Sequence, residues 1–133
     1  MKHTKYAVIA IALTVAIVGV VLGSQKSTQS SERPQSARFE QIRTELAGGA
    51  LLMDVRTPEE YAAGHIAGAG TLPLQAIQSG AVPGGDTSKK IYVYCRTGHR
   101  SAQATILLRK AGYTVEDLGS MDGVVAMGGT VTR

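Results

Sequence analysis

The sequence contains a single cysteine, Cys95, among its 133 residues, and it has no tryptophan and only one phenylalanine. One thiol excludes an internal disulfide framework and any metal site built from several cysteines. With five tyrosines, the large rings of the chain number six in all, which argues against a base-stacking surface for nucleic acid. The net charge is only +4, and Lys2 and Lys5 supply part of it. We therefore predict no nucleic-acid partner and no resident metal or other cofactor.

One long apolar run is present near the N-terminus, where residues 7–22 read AVIAIALTVAIVGVVL directly after two lysines. As a helix, residues 6–23 would measure about 27 Å at roughly 1.5 Å per residue, the lower end of a bilayer span. A basic start and an apolar run are typical of export signals, and this charge order places the rest of the chain outside the cytoplasm. We predict that residues 1–23 are an uncleaved transmembrane anchor or a cleaved signal peptide. An anchor would attach the domain to the outer side of the cell membrane. A cleaved signal would leave the domain periplasmic or secreted.

Residues 24–35 read SQKSTQSSERPQ and contain no large apolar residue, which predicts a flexible linker. Residues 36–133 remain for one folded domain, a length that leaves no room for a second core of similar size. Nothing in the sequence requires a second copy of the chain, so a monomer is expected.

Helical and strand patterns alternate along this domain. Apolar spacing predicts helices at 36–46, 101–111 and 121–127, and short apolar or β-branched runs predict strands at 50–55, 91–95 and 114–118. A further helix should begin at Pro58, since Thr57 and Glu60 have the spacing of a capping box, and should end at Gly64. We expect the helix at 101–111 to bury Ala104, Leu107, Leu108 and Ala111. This order predicts an α/β fold with a mostly parallel central sheet and helices on both faces.

The candidate site is the segment from Cys95 to Ser101, which links the strongest predicted strand to a helix. Ligands bind where parallel strands end, and a loop entering a helix directs backbone N–H groups inward. Gly98 allows a tight turn, and Arg96, His99 and Arg100 add positive potential. We therefore predict a lowered pKa for Cys95 and a nucleophilic thiolate. The alternative is an inert core cysteine, which would have no use for three neighbouring cations.

Two segments resemble signatures of the rhodanese family. Residues 54–61 (DVRTPEEY) with 64–69 (GHIAGA) are similar to its first signature, and residues 94–101 (YCRTGHRS) are similar to its active-site loop. Residues 111–119 resemble the closing segment, although the family usually has Leu-x-Gly-Gly and a nearby Trp. This chain has Leu118-Gly119-Ser120-Met121 there. The resemblance covers residues 38–129 and implies a single-domain rhodanese-like sulfurtransferase. With the N-terminal apolar run, we expect an exported or membrane-tethered member of the family.

The resemblance implies that Cys95 takes the outer sulfur of a small anionic donor such as thiosulfate and holds it as a persulfide. A thiol or cyanide would then accept that sulfur. The substrate-binding residues would be Arg96, Thr97, Gly98, His99, Arg100 and Ser101. Arg96 and His99 are expected to attract the donor, whereas Arg100 either faces the substrate or pairs with an acidic group and supports the loop.

A second charged cluster begins near the end of the first predicted strand and contains Asp54, Arg56, Glu60 and His65. Glu60 is already used by the capping box, and Arg56 is a natural ion-pair partner. We therefore predict structural support from Asp54, Arg56 and Glu60 rather than acid–base chemistry, and a hydrogen-bonding role for His65.

Three other functions stay open at this point. A phosphatase or arsenate reductase of this fold needs a Cys-x5-Arg loop, whereas Cys95 and Arg100 are separated by four residues. A non-catalytic binding module is a second alternative, although inactive relatives usually lack the cysteine. A relay that passes the persulfide to a partner protein is the third, and it shares the chemistry of the enzyme.

Overall fold

The computed structural model describes residues 35–133. The predicted anchor or signal at 1–23, and all but the last residue of the predicted linker, lie outside the described residues and stay predictions. Among residues 35–133, no helix combines the length and the apolar character needed to cross a bilayer.

Helices and strands alternate along the described residues, as the sequence predicts. The helices are α1 (Gln35–Ala47), α2 (Pro58–Ala63), α3 (Leu74–Gln78), α4 (His99–Lys110) and α5 (Met121–Ala126). The strands are β1 (Leu51–Asp54), β2 (His65–Ile66), β3 (Gly70–Thr71), β4 (Lys90–Cys95), β5 (Thr114–Ser120) and β6 (Val131–Thr132).

The central sheet has the strand order β3-β1-β4-β5, and every pair in it is parallel. Strands β2 and β6 form a separate antiparallel pair. The chain runs outward from β1 to β3 on one side and from β4 to β5 on the other. The order therefore reverses between β1 and β4, and the carboxyl ends of these two strands form the crevice where ligands bind in open parallel sheets.

Both faces of the sheet are covered, as predicted, because side chains alternate along the buried strand β4. Tyr92 and Tyr94 pack into the cluster that contains residues of α1 and α5. Ile91, Val93 and Cys95 pack into the opposite cluster, which contains residues of α3 and α4. Cys95 is thus the last inward side chain of β4 on the α4 face of the sheet.

The predicted capping box at the start of α2 is confirmed. The Glu60 N–H donates to the Thr57 hydroxyl at 3.3 Å, and the Thr57 N–H donates to the Glu60 carboxylate at 3.1 Å. Helix α2 ends at Ala63 and Gly64 is its C-cap, which agrees with the expected stop at this glycine.

Some predicted boundaries were wrong. Helix α4 begins at His99, two residues before the predicted start, and Ala111 lies beyond its end and is exposed rather than buried. Strand β5 continues to Ser120, two residues past its predicted end. Four elements were not predicted from the sequence, namely β2, β3, α3 and β6, because strands of two residues and a helix of five are too short to show a period.

Candidate functional site: the loop after β4

Cys95 ends strand β4 and is fully buried. The loop that follows folds back over the thiol, so that the Gly98 N–H donates to the Cys95 Sγ at 3.0 Å. This turn requires a φ of 95° at Gly98, a left-handed conformation that a residue with a Cβ rarely adopts. A Cβ at Gly98 would lie 3.6 Å from the Cα of Gly119, which is ordinary contact. The backbone angle, rather than a lack of space, therefore requires glycine at this position.

The start of α4 supplies further donors to the thiol. Gly98 is the N-cap, so Ser101 is in the first helical turn, where N–H groups have no carbonyl partner within the helix. Burial raises the pKa of Cys95, but hydrogen bonds from the N–H and hydroxyl of Ser101 and from the N–H groups of Thr97 and Gly98 outweigh it. The net pKa is lower than that of an ordinary cysteine, the direction predicted from the sequence.

Arg100 is held by Glu60. Its two terminal nitrogens donate to the two carboxylate oxygens of Glu60 at 2.6 and 3.0 Å. This fork lowers the pKa of Glu60 to about 2, chiefly through the hydrogen bonds from Arg100. Glu60 raises the pKa of Arg100 in return, and the Cys95 thiolate adds to that effect. Of the two roles considered for Arg100, this geometry favours support of the loop by an acidic partner.

Arg96, Thr97 and His99 of the loop are all exposed. In the part of the chain that the structure describes, the side chains of Arg96 and His99 form no ion pair or hydrogen bond. Arg96 lines a cavity of about 310 Å³ together with Arg56, Glu60, Met121 and Asp122. A cationic group with no partner in the wall of a cavity is available to an anionic ligand.

The charged residues at the end of β1 hydrogen-bond to each other. Arg56 Nε donates to Asp54 at 2.9 Å and its Nη2 donates to the same carboxylate at 2.6 Å, in a buried pair. The same Nη2 donates to the Gly64 carbonyl at 2.6 Å, which joins the pair to the end of α2. The hydrogen bonds from Arg56 to Asp54 raise the pKa of Arg56. These contacts agree with the predicted structural role of Asp54 and Arg56.

His65 stacks on the ring of Tyr61, with ring centroids 3.8 Å apart, and its Nδ1 lies 3.0 Å from the Tyr61 carbonyl oxygen. This is the hydrogen-bonding role expected for it. Among residues 35–133, no three histidine, cysteine, aspartate or glutamate side chains meet in a way that could hold a metal ion.

Gly119 and Ser120 complete the site from β5, although no role was predicted for them from the sequence. The pairing of β5 with β4 is irregular opposite residues 93–95, and Gly119 has a φ of 78° there. The Ser120 hydroxyl accepts the Gly123 N–H at 3.0 Å and so caps α5. The predicted last helix therefore forms even though the usual closing motif is altered. The signal that could have pointed to Gly119 is the Leu118-Gly119 pair, which matches part of that motif.

A family model described as a rhodanese-like domain matches residues 38–125. The chain belongs to the rhodanese family. This confirms the resemblance seen in the two sequence signatures, and it agrees with the sheet order and the position of the cysteine loop.

Among rhodanese relatives, the chain is 38% identical over 76 residues to the thiosulfate sulfurtransferase PspE of Escherichia coli K12, covering 54% of this chain and 71% of that protein. It is 37% identical over 89 residues to the human thiosulfate:glutathione sulfurtransferase, covering 56% of this chain and 76% of that protein. A solved structure described as a rhodanese with anions from E. coli is similar at a TM-score of 0.54 and 31% identity. That match covers 64% of this chain and 99% of the other. These relatives support a rhodanese-type transferase and sulfur transfer in general.

Proposed function

We propose that the protein is a sulfurtransferase that moves a sulfane sulfur from a small anionic donor such as thiosulfate to a thiol or cyanide through a persulfide on Cys95. The observation that carries this proposal is the ring of hydrogen-bond donors around the sulfur, led by the Gly98 N–H at 3.0 Å from Sγ. Such a ring favours an anionic sulfur in the thiolate and again in the persulfide.

In the first half-reaction the Cys95 thiolate attacks the outer sulfur of thiosulfate. The sulfur–sulfur bond of the donor breaks, its electron pair leaves with sulfite, and the transferred sulfur stays on Sγ as a persulfide. Arg96 and His99 are the groups that would attract the donor, because both are accessible to solvent and their side chains have no partner in residues 35–133.

In the second half-reaction the acceptor attacks the outer sulfur of the persulfide. The bond between the two sulfurs breaks, and its electron pair returns to Sγ, which restores the thiolate. Because a covalent intermediate separates the two substrates, the reaction should follow ping-pong kinetics. The fork between Arg100 and Glu60 would hold the loop in place through both steps.

The intact mass of the full chain, before and after thiosulfate, tests this proposal for wild type and for Cys95→Ser. We expect wild type to gain one sulfur atom that cyanide removes, and the variant to gain none. An unchanged wild-type mass after reducing preparation would contradict sulfur transfer and favour a binding module. Thermal unfolding of both proteins controls for loss of the fold.

We also propose that the domain lies outside the cytoplasm, attached through residues 6–23 or released after cleavage. The apolar run after Lys2 and Lys5 supports this proposal. Fractionation of cells that produce the full chain, followed by external protease treatment, tests it. Protection of the domain in intact cells and in cells with a permeabilised outer layer would contradict it. The mass of the purified protein separates an anchor from a cleaved signal.

A further inference from the structure

The cavity of about 310 Å³ that Arg96 lines contains a second charged side chain with no partner among residues 35–133, that of Asp122. We call it the donor cavity, and its lining consists of Arg56, Glu60, Ala63, Arg96, Met121 and Asp122. We propose that Arg96 and Asp122 together select a sulfur donor that carries a positive as well as a negative charge, a zwitterionic thiosulfonate. The inference rests on the proposed sulfurtransferase function and names the donor class of that same site.

The donor cavity lies beside the residues that hold the sulfur. Cys95 and Ser120 are register partners at the carboxyl ends of β4 and β5. Arg96 directly follows Cys95, and Met121 directly follows Ser120. Two walls of the cavity therefore come from the chain segments that flank this pair. A donor bound between Arg96 and Met121 would be adjacent to the end of β4, where Cys95 lies.

Two of the four charged groups in the donor cavity are already neutralised within the fold. The guanidinium of Arg56 donates to Asp54 in the buried pair, and the carboxylate of Glu60 accepts from Arg100 in the fork. Because each pair brings opposite charges within hydrogen-bond distance, the two charges largely cancel at a bound ligand. These two groups therefore add little to the preference of the cavity for ligands of one charge.

The other two charged groups, Arg96 and Asp122, are exposed and unpaired in the part of the chain that the structure describes. They line the same cavity but form no ion pair with each other. A dianion such as thiosulfate is attracted by Arg96 and repelled by Asp122. A ligand with one charge of each sign can instead satisfy both groups at once. The arrangement therefore favours a zwitterion over a dianion.

The size and the apolar part of the donor cavity agree with a ligand larger than thiosulfate. Its volume of about 310 Å³ lies within the range of small-molecule sites, roughly 300–1,000 Å³. Ala63 and the thioether of Met121 supply apolar wall, against which a short hydrocarbon chain can pack. A thiosulfonate that carries an ammonium group on a short hydrocarbon chain combines the anion, the apolar link and the cation that these walls fit.

The chemical step is the first half-reaction with a different leaving group. The Cys95 thiolate attacks the outer sulfur of the thiosulfonate, and the bond between the two sulfurs of the donor breaks. Its electron pair leaves with a sulfinate that keeps the ammonium group, and the outer sulfur stays on Sγ as a persulfide anion. The thiolate and the thiosulfonate group each bring one negative charge, and the persulfide and the sulfinate group each keep one. No proton, oxidant or reductant is consumed.

Steady-state kinetics of the full chain, with cyanide as the constant acceptor, test the inference with three donors. These are the zwitterion 2-aminoethanethiosulfonate, propanethiosulfonate, in which a methyl group replaces the ammonium group, and thiosulfate. We expect wild type to have a kcat/KM about fivefold higher for the zwitterion than for propanethiosulfonate, the upper range for an exposed ion pair. Asp122→Asn should abolish this preference and raise kcat/KM for thiosulfate about twofold, whereas Asp122→Glu should keep the preference. Arg96→Ala should lower kcat/KM for all three donors.

Asp86→Asn is the matched control, because it removes an exposed carboxylate from a loop outside the donor cavity and makes the same change in net charge. It should alter none of the three values. Asp122 also lies in the first turn of α5, where a carboxylate stabilises the start of a helix. An equal loss with all three donors in Asp122→Asn, alongside a lower melting temperature, would therefore show a structural role and overturn the inference.

Two further results would contradict the inference and leave the proposed function standing. One is a wild type that uses thiosulfate but does not prefer the zwitterion to propanethiosulfonate. The other is a preference for the zwitterion that survives in Asp122→Asn. Failure of wild type with every donor, together with no persulfide in the mass measurement, would instead contradict the proposed function.

Discussion

Strands β1 and β4 end side by side at the carboxyl end of the sheet, and charged residues lie at both ends. The charged residues at the two places differ in burial and in pairing. At the end of β1, Asp54 and Arg56 are buried and bonded to each other. After β4, Arg96 and His99 reach solvent, and their side chains have no partner in the described part of the chain. Both loops have an arginine within two residues of the strand end, Arg56 after β1 and Arg96 after β4. Position in the sequence is therefore similar, and burial and pairing distinguish a structural charge from a charge that is available to a substrate.

Arg100 connects the two loops. By sequence it belongs to the segment after β4, but its guanidinium is bound by Glu60 of α2, which follows β1. The first loop thus supports the second through one ion pair, and substitutions on either side of this pair should have different consequences.

Asp54→Ala should have the largest effect, because it leaves the guanidinium of Arg56 buried without its carboxylate. Breaking one side of a buried pair costs about 3–5 kcal/mol of the free energy of unfolding. Chemical denaturation of wild type and variant measures this loss. Asp122→Ala removes an exposed carboxylate at the start of α5 and is the control, with a much smaller expected effect. Equal stability of Asp54→Ala and wild type would show that the first loop does not depend on its pair.

Glu60→Gln should have the next largest effect. Glutamine keeps a capping-box oxygen for the Thr57 N–H but removes the charge that holds Arg100. We expect a loss of roughly 1.5–3 kcal/mol, the usual value of hydrogen bonds to charged groups. A double-mutant cycle with Arg100→Ala measures the coupling, and additive effects of the two substitutions would contradict it.

The same carboxylate predicts a pH dependence. The pKa of Glu60 in the folded protein is about 2, below its ordinary value of 4.5. Its contribution is therefore present above about pH 4.5 and is lost as the pH falls toward 2. The unfolding free energy of Glu60→Gln should fall less steeply than that of wild type in this window. Parallel curves for the two proteins would argue against the assignment.

Arg96→Ala tests the other side of the comparison. Because the Arg96 side chain bonds to nothing within residues 35–133, its loss should leave the melting temperature unchanged. The KM for thiosulfate should rise about tenfold, corresponding to about 1.4 kcal/mol of binding. Thr97→Ala, on the same exposed stretch, is the control for KM, since only its backbone N–H is expected to act on the sulfur. A fall in stability with no change in KM would place Arg96 with the structural charges.

The sequence was sufficient to predict the parallel sheet, its covered faces and the cysteine loop, because these features depend on residues close together in the chain. Strand β4 and the capping box of Thr57 are examples. It was not sufficient for the link between Arg100 and Glu60, which are 40 residues apart. That contact follows from β1 and β4 being neighbours in the sheet, which local patterns do not specify. Helix α3 was missed for a different reason, since its five residues are too few to show a helical period.

Ser101→Ala should have the smallest effect and would sharpen the account of Cys95. The variant loses the hydroxyl that helps to lower the thiol pKa but keeps the N–H groups of residues 97, 98 and 101. The rate of alkylation against pH should have a midpoint below the free-cysteine value of about 8.5 in wild type. In the variant the midpoint should move to higher pH without reaching the midpoint of a buried cysteine that has no hydrogen-bond donors. A shift as large as the whole depression would mean that the hydroxyl, rather than the backbone, stabilises the thiolate.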